Sequence, residues 1–188
     1  MTEHDEQLFA AYIGNADKLG YYSRQLLRFT ANGALQYRSS WSWWAFAAMP
    51  FFLLYRKLYV EAAVGTVLTL LFLYLGDGWL SVNYGEALLG ADIRTVDPQV
   101  MLNAMLFALG IMLLPPIVFG AVSPYLVIRR FFKLQAAVAN LSPDEQLAMI
   151  TQKGGVHKWA IVLFAVVELA FFAHAMVQAI GQLEQITP

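Results

Sequence analysis

The chain has 188 residues, enough for one domain, of which 59% are hydrophobic and 13% charged, where soluble domains carry roughly 25% charge. With no cysteine, disulfides, thiolate metal sites, a catalytic thiol and lipid attachment through sulfur are excluded. A net charge of -1 lacks the basic excess that nucleic acid attracts, so no nucleic-acid partner is expected.

Residues 1–40 contain Glu3, Asp5, Glu6 and Asp17 and no continuous apolar run, so they resemble neither a signal nor a transit peptide. They read as a cytoplasmic helical N-terminal segment. Within it Asn15 caps a helix from Ala16 to about Phe29, with Leu19, Tyr22, Leu26 and Phe29 near one face, and Asn32-Gly33 supplies a stop.

Residues 41–188 read as a membrane domain. Trp41 to Tyr55 is apolar except for Ser42 and Pro50, yet a straight helix of that length reaches only ~22 Å, against ~30 Å of bilayer hydrocarbon. Three later runs meet the length of a span: 62–80, 100–128 and 159–180. Between the second and third lies a cytoplasmic helical loop, 129–158. It opens with the stretch RRFFKLQAAVANL, which suits an interfacial helix. It continues as a short helix from Pro143 to about Lys153, with Ser142 as N-cap, Glu145 completing a capping box and Gly154-Gly155 at its end.

Charge arbitrates the fate of the short apolar run, because cytoplasmic flanks carry the Lys and Arg excess. If Trp41–Tyr55 crosses, seven of the 12 Lys and Arg fall inside. If it re-enters or lies flat, Lys18, Arg24, Arg28, Arg38, Arg56 and Lys57 join the loop from Arg129 to Lys158, and only Arg94 stays outside. Eleven of twelve then lie inside, which selects a cytoplasmic N-terminus, three spans and a C-terminus on the far side. Pro50 fits this parity, since it removes a backbone donor and favours a bend. Trp41, Trp43, Trp44 and Tyr55 at the two ends fit an aromatic belt at one interface. The expected fold is an all-α integral membrane protein, with three transmembrane helices, a re-entrant or interfacial hairpin over 41–57 and cytoplasmic amphipathic helices.

The blocks YIGNADK at Tyr12–Lys18, Tyr21-Tyr22, W-x-W-x-A-F at Trp41–Phe46 and PFFLLYRKLY at Pro50–Tyr59, with Gly120, Tyr125 and Gly154-Gly155, resemble the small bacterial membrane proteins of domain-of-unknown-function family 2628. Ala48-Met49-Pro50 departs from the Gly-Pro expected there. The resemblance implies a bacterial inner-membrane protein of several helices and brings no known activity, cofactor or catalytic residue with it.

Several residues invite chemistry. Glu168 sits near the centre of the last span, where a carboxylate is a candidate for proton relay or ion coordination. The plainer reading is a protonated Glu hydrogen-bonded to Thr66, Thr69, Asn103 or a carbonyl. His174 lies about 120° from Glu168 around the helix and does not share its face. Pro115-Pro116 interrupts the second span, as a kink or as the broken helix of an ion site, and Pro124 frees the carbonyl of Gly120. Arg56-Lys57, Arg129, Arg130, Lys133 and Lys158 fall on the predicted interface and are candidate lipid-headgroup contacts, although topology alone would place them there. Neither a phosphate loop, a nucleophile elbow, a metal-binding helix motif nor a dinucleotide fingerprint occurs. No cofactor is therefore expected. These features point to a non-enzymatic membrane anchor or accessory subunit that presents its cytoplasmic helices to a protein partner or a second copy. The alternative is a small oligomeric transporter or proton-coupled channel that uses Glu168.

Overall fold

The computed structural model describes residues 2–89 and 96–186. Seven helices follow in chain order: α1 (Glu3–Ile13), α2 (Ala16–Phe29), α3 (Trp43–Tyr55), α4 (Tyr59–Leu89), α5 (Pro98–Val138), α6 (Pro143–Lys153) and α7 (Trp159–Ile186). The described residues are otherwise loops and turns. Two helices, α4 over Tyr59–Gly85 and α5, are long and apolar enough to cross a membrane. Trp159–His174 of α7 forms a shorter apolar helix by the same measure. Arg94 lies outside the described residues.

The post of the fold is α5, which at 41 residues would be ~62 Å long if straight. Its first part packs on α4, its middle meets α3 around Gly120, and its last part carries α1, α2 and α6. The stretch RRFFKLQAAVANL continues from the preceding span, since α5 runs to Val138. Val127, Phe131, Leu134 and Val138 recur at spacings of three and four and are all buried, so one apolar stripe extends past Ile128 in register and α1, α2 and α6 cover it. Pro115 and Pro116 are both buried inside α5, which is helical on either side of them.

α1 begins at a reciprocal cap. The Asp5 amide donates to the Thr2 hydroxyl at 3.2 Å, and the Thr2 amide donates to the Asp5 carboxylate at 2.8 Å. Leu8, Phe9, Tyr12 and Ile13 fall on its inner face. Phe9 meets Phe131 of α5 edge-on at 4.9 Å between ring centroids. α2 starts at Asn15, whose side chain accepts from the Asp17 amide, and ends at Thr30, with Gly33 at φ 78° turning the chain away. α6 spans Pro143–Lys153, and the Ser142 amide and hydroxyl donate to Glu145 at 3.0 and 2.7 Å. Together α1, α2, α6 and the end of α5 form a cap, whose buried residues belong to one core with Ala45, Phe52 and Leu53 of α3 and Phe119 of α5.

α3 bends where expected. Met49, just before Pro50, takes φ 42° and ψ -123°, a backbone region that favours glycine. α7 leaves the body touching only α3 among the described helices, through Ala160 and the pair Phe51–Phe164 at 5.2 Å.

Candidate functional site

The blocks quoted from Tyr12 to Gly155 are scattered through the sequence, and the fold gathers them around the turn that ends α3. That turn is a Schellman motif. The Leu58 amide donates to the Leu53 carbonyl at 2.8 Å and the Lys57 amide to the Leu54 carbonyl at 2.9 Å, with Lys57 at φ 58°. Leu53 and Leu58 are both fully buried, giving the apolar contact that accompanies such caps. Arg56, at the cap position, is driven inward and retains only 6% exposure.

Arg56 joins three helices. Its Nη1 donates to the Ile13 carbonyl at the end of α1 at 3.0 Å. Its guanidinium carbon stands 4.7 Å from the centre of the Tyr22 ring on α2 and 5.7 Å from that of Tyr55 on α3. Its Nε is buried and finds no hydrogen-bond partner. Burial pushes the Tyr22 hydroxyl above its ordinary range, with Arg56 acting in the opposite direction.

Neighbouring bonds lock the same end of the molecule. The Tyr12 hydroxyl donates to the Val127 carbonyl at 2.9 Å, while the Tyr12 carbonyl accepts from the Gly155 amide at 2.7 Å. The Lys57 ammonium donates to the Gln152 carbonyl at 3.0 Å, and the His157 amide to the Tyr55 carbonyl at 2.7 Å. Gly154 is required by contact: a Cβ there would lie 2.9 Å from the Tyr12 Cα and 2.6 Å from the Ile150 oxygen. Burial dominates the Tyr12 hydroxyl too and raises its pKa.

The tryptophan block is held from the other side. The Tyr21 hydroxyl donates to the Trp41 carbonyl at 2.6 Å, and burial pushes its pKa up to about 12. The Ser42 amide donates to the Gly120 carbonyl at 2.8 Å, and the Ser40 hydroxyl to the Ala121 carbonyl at 3.0 Å. Trp41 and Phe46 lie over Gly120, where a Cβ would come 3.0 Å from the indole. The Trp41 Nε1 is buried without a partner.

Between α2, α3 and α7 these residues leave a cavity of ≈600 Å³, lined by Lys18, Tyr22, Trp41, Trp44, Arg56 and Phe164 among others. Its lining combines Asp17, Lys18 and Arg56 with aromatic and apolar side chains. A second cavity of ≈550 Å³ lies among α3, α4 and α5. Its walls are almost wholly apolar apart from Glu61, Thr69 and Ser123.

The remaining predicted residues lie apart. Trp43 and Trp44 are exposed, and Phe46, Pro50 and Tyr55 are half-buried around the bend. Arg129, Lys133 and Lys158 are exposed, and Arg130 is half-buried. Glu168 and His174 are exposed on α7. The plain expectation placed a hydrogen bond from Glu168 to Thr66, Thr69, Asn103 or a carbonyl; Glu168 is exposed, and α7 touches neither α4, which carries Thr66 and Thr69, nor α5, which carries Asn103. Among the described residues no three His, Asp or Glu side chains converge as a metal site requires. The sequence placed Tyr12 in the quoted blocks, Tyr22 on the apolar face of α2 and Arg56 at the predicted interface but gave no sign of their convergence, and α1 was missed, its Thr2-x-x-Asp5 box being the available signal. No family model, no curated protein and no solved structure matches the chain.

Proposed function

We propose that the chain is a three-span inner-membrane protein, without enzymatic activity, that serves as an anchor or accessory subunit and presents its helical cap to a protein partner in the cytoplasm. The observation that carries this reading is the set of bonds joining Arg56 to Ile13, Lys57 to Gln152 and Tyr12 to Gly155. Residues 12–13, 56–57 and 152–155 thus share one end of the molecule. The chain between Ile13 and Arg56 starts and finishes there, as a re-entrant α3 needs, and so does the chain between Lys57 and Gln152, as a pair of spans needs. This favours the parity with eleven of twelve Lys and Arg on one side, a cytoplasmic N-terminus and α7 as the third span. It also accords with the resemblance to family 2628, whose most specific blocks meet at this end.

The cap is fixed to the α5 post by a continuous core, so it offers a partner a rigid surface. On α2 Leu27 is 70% exposed, between the exposed Arg24 and Arg28. A photo-crosslinking residue at Leu27 in intact cells tests the reading: a discrete adduct with one protein, lost when Arg24 and Arg28 are reversed in charge, is expected, and adducts with lipid alone overturn it. Topology is tested separately. In this cysteine-free chain a cysteine placed at Arg38 is shielded from an impermeant thiol reagent and one at Gln99 is labelled from outside. External labelling at position 38 rejects the parity.

One observation favours the alternative of a small oligomeric proton-coupled transporter: Glu168 and His174 are exposed on a helix that only α3 covers, where a second copy can enclose them. Liposome flux that survives Glu168→Gln removes this reading.

A further inference from the structure

We propose that the cavity beside Arg56 binds an anionic amphiphile, with its phosphate or carboxylate headgroup against Arg56 and the Trp41 indole and its hydrocarbon tail along Phe51 and Phe164. Three observations converge on one volume. Arg56 is buried, and no carboxylate of the described residues forms an ion pair with it; it meets the Ile13 carbonyl, the Tyr22 ring and hydroxyl and the Tyr55 ring. A buried guanidinium without an anion is costly, and its planar fork matches phosphate and carboxylate oxygens. Among the described residues five buried side-chain polar atoms find no partner, and two of them, the Arg56 Nε and the Trp41 Nε1, belong to residues that line this cavity. Buried donors are rarely left so, which points to an acceptor-bearing ligand.

The other half of the cavity sets the rest of the ligand. Ala160, Ile161 and Phe164 of α7 line it together with Phe51 and Phe52 of α3, the Phe51 and Phe164 rings meeting at 5.2 Å, and those two helices continue into exposed apolar surface. An inorganic anion would leave this half unfilled, whereas a hydrocarbon tail fills it. A volume of ≈600 Å³ is within the range of small-ligand sites and takes a headgroup with part of a chain. Lys18 stands at the polar wall next to Asp17, and both are exposed. The Arg56 charge therefore decides the sign of the ligand. Lateral entry from a bilayer rests on the membrane placement proposed above; the anion–tail chemistry of the cavity does not.

The test uses the full chain, purified in a mild non-ionic detergent. Retained molecules are counted by native mass spectrometry after exposure to phosphatidylglycerol, phosphatidylcholine, oleate or inorganic phosphate. One phosphatidylglycerol or one oleate per chain is expected to be held in preference to phosphatidylcholine, with inorganic phosphate at least tenfold weaker. Preference for phosphatidylglycerol over oleate assigns a lipid headgroup as the source, and the reverse assigns a free fatty acid. Trp41→Phe, which deletes one unpaired donor and keeps a ring over Gly120, and Arg56→Lys, which keeps the charge and loses the fork, should each weaken retention about tenfold. Equal retention of phosphatidylglycerol and phosphatidylcholine overturns the proposal, as does phosphate binding as tightly as the lipids. If Arg56→Lys does not fold, Trp41→Phe decides, and unchanged retention in that variant is also fatal. Failure of the membrane placement would show differently, as alkaline carbonate extracting the chain from membranes while oleate retention persists.

Discussion

The Ser42 amide donates to the Gly120 carbonyl at 2.8 Å, and Gly120 is the residue whose helical donor Pro124 removes. A helix-breaking residue in α5 therefore creates the acceptor that anchors the start of α3. The Ser42 hydroxyl also accepts from the Ala45 amide at 3.2 Å, so one residue caps its own helix and fastens it to the post. In hydrogen exchange the Ser42 amide is expected to be protected as strongly as the helix interiors, although it lies outside any helix. Ser42→Ala should keep that protection and lose about 1 kcal/mol of stability with the cap, read from the denaturant midpoint. Fast exchange at Ser42 in the unaltered chain would refute the anchor.

Met49→Gly should stabilise the bend. At φ 42° a side chain costs roughly 1–3 kcal/mol of backbone strain, and the greater freedom of glycine in the unfolded chain offsets about 0.5–1 kcal/mol. A net gain of about 1 kcal/mol in thermal or denaturant unfolding is expected. A loss of that size would mean that Met49 packing outweighs the strain.

Two glycine substitutions should move in opposite directions. Gly20→Ala adds a Cβ in open space within α2 and is expected to gain about 0.5–1 kcal/mol. Gly154→Ala drives its Cβ into the Tyr12 and Ile150 backbones, should cost about 1–3 kcal/mol and should free Tyr12 from Gly155. Proteolysis within the cap reads both, and equal resistance of the two variants would contradict the contact.

Acid should loosen the cap from its helix starts. The backbone and side-chain bonds from Thr2 hold the Asp5 carboxyl below its ordinary 3.8, and those from Ser142 hold Glu145 below 4.5. For depressed carboxyls the contribution is present above those values and disappears as the pH falls through the lower folded-state values. Amide exchange in the first turns of α1 and α6 should accelerate below about pH 4, while α4 and α5 stay protected. Glu145→Gln should abolish the change in α6 alone.

Alkali should act through the tyrosines. Tyr21 titrates near 12 instead of 10.0, and burial raises Tyr12 and Tyr22 as well. Raised values mean that this contribution is complete below pH 10 and is lost as the pH climbs through the folded-state values. Absorbance of phenolate should therefore show a group of tyrosines that ionise late and together with the loss of cap structure. Ordinary titration of all nine tyrosines would show that these hydroxyls are not buried.

Local chemistry was legible in the sequence. Asn15 and the Ser142-Pro143-Glu145 run marked the starts of α2 and α6, because caps act within four residues. Pro50 marked the bend and Pro124 the freed carbonyl for the same reason. The extension of α5 past Ile128 was not legible, since the basic Arg129-Arg130 pair interrupts the hydropathy and only the buried Phe131, Leu134 and Val138 reveal the continuing stripe. Arg56 looked like an ordinary basic flank to an apolar run. What draws it inside is Ile13 and Tyr22, residues remote in sequence whose approach depends on the Schellman turn and on the whole cap.

The partners of α1 carry a consequence for synthesis. His4, Asp5 and Tyr12 bond to Gln146, Gln135 and Val127, at separations of 142, 130 and 115 residues. At translation rates of 5–20 residues per second, the first helix waits roughly 6 to 28 s for the segments that cover Leu8, Phe9 and Ile13. Until α5 and α6 emerge, the inner face of α1 has only α2 to pack on, and the cap can close only after both α4 and α5 have been made. The earliest residues of the chain are thus among the last to reach their final neighbours.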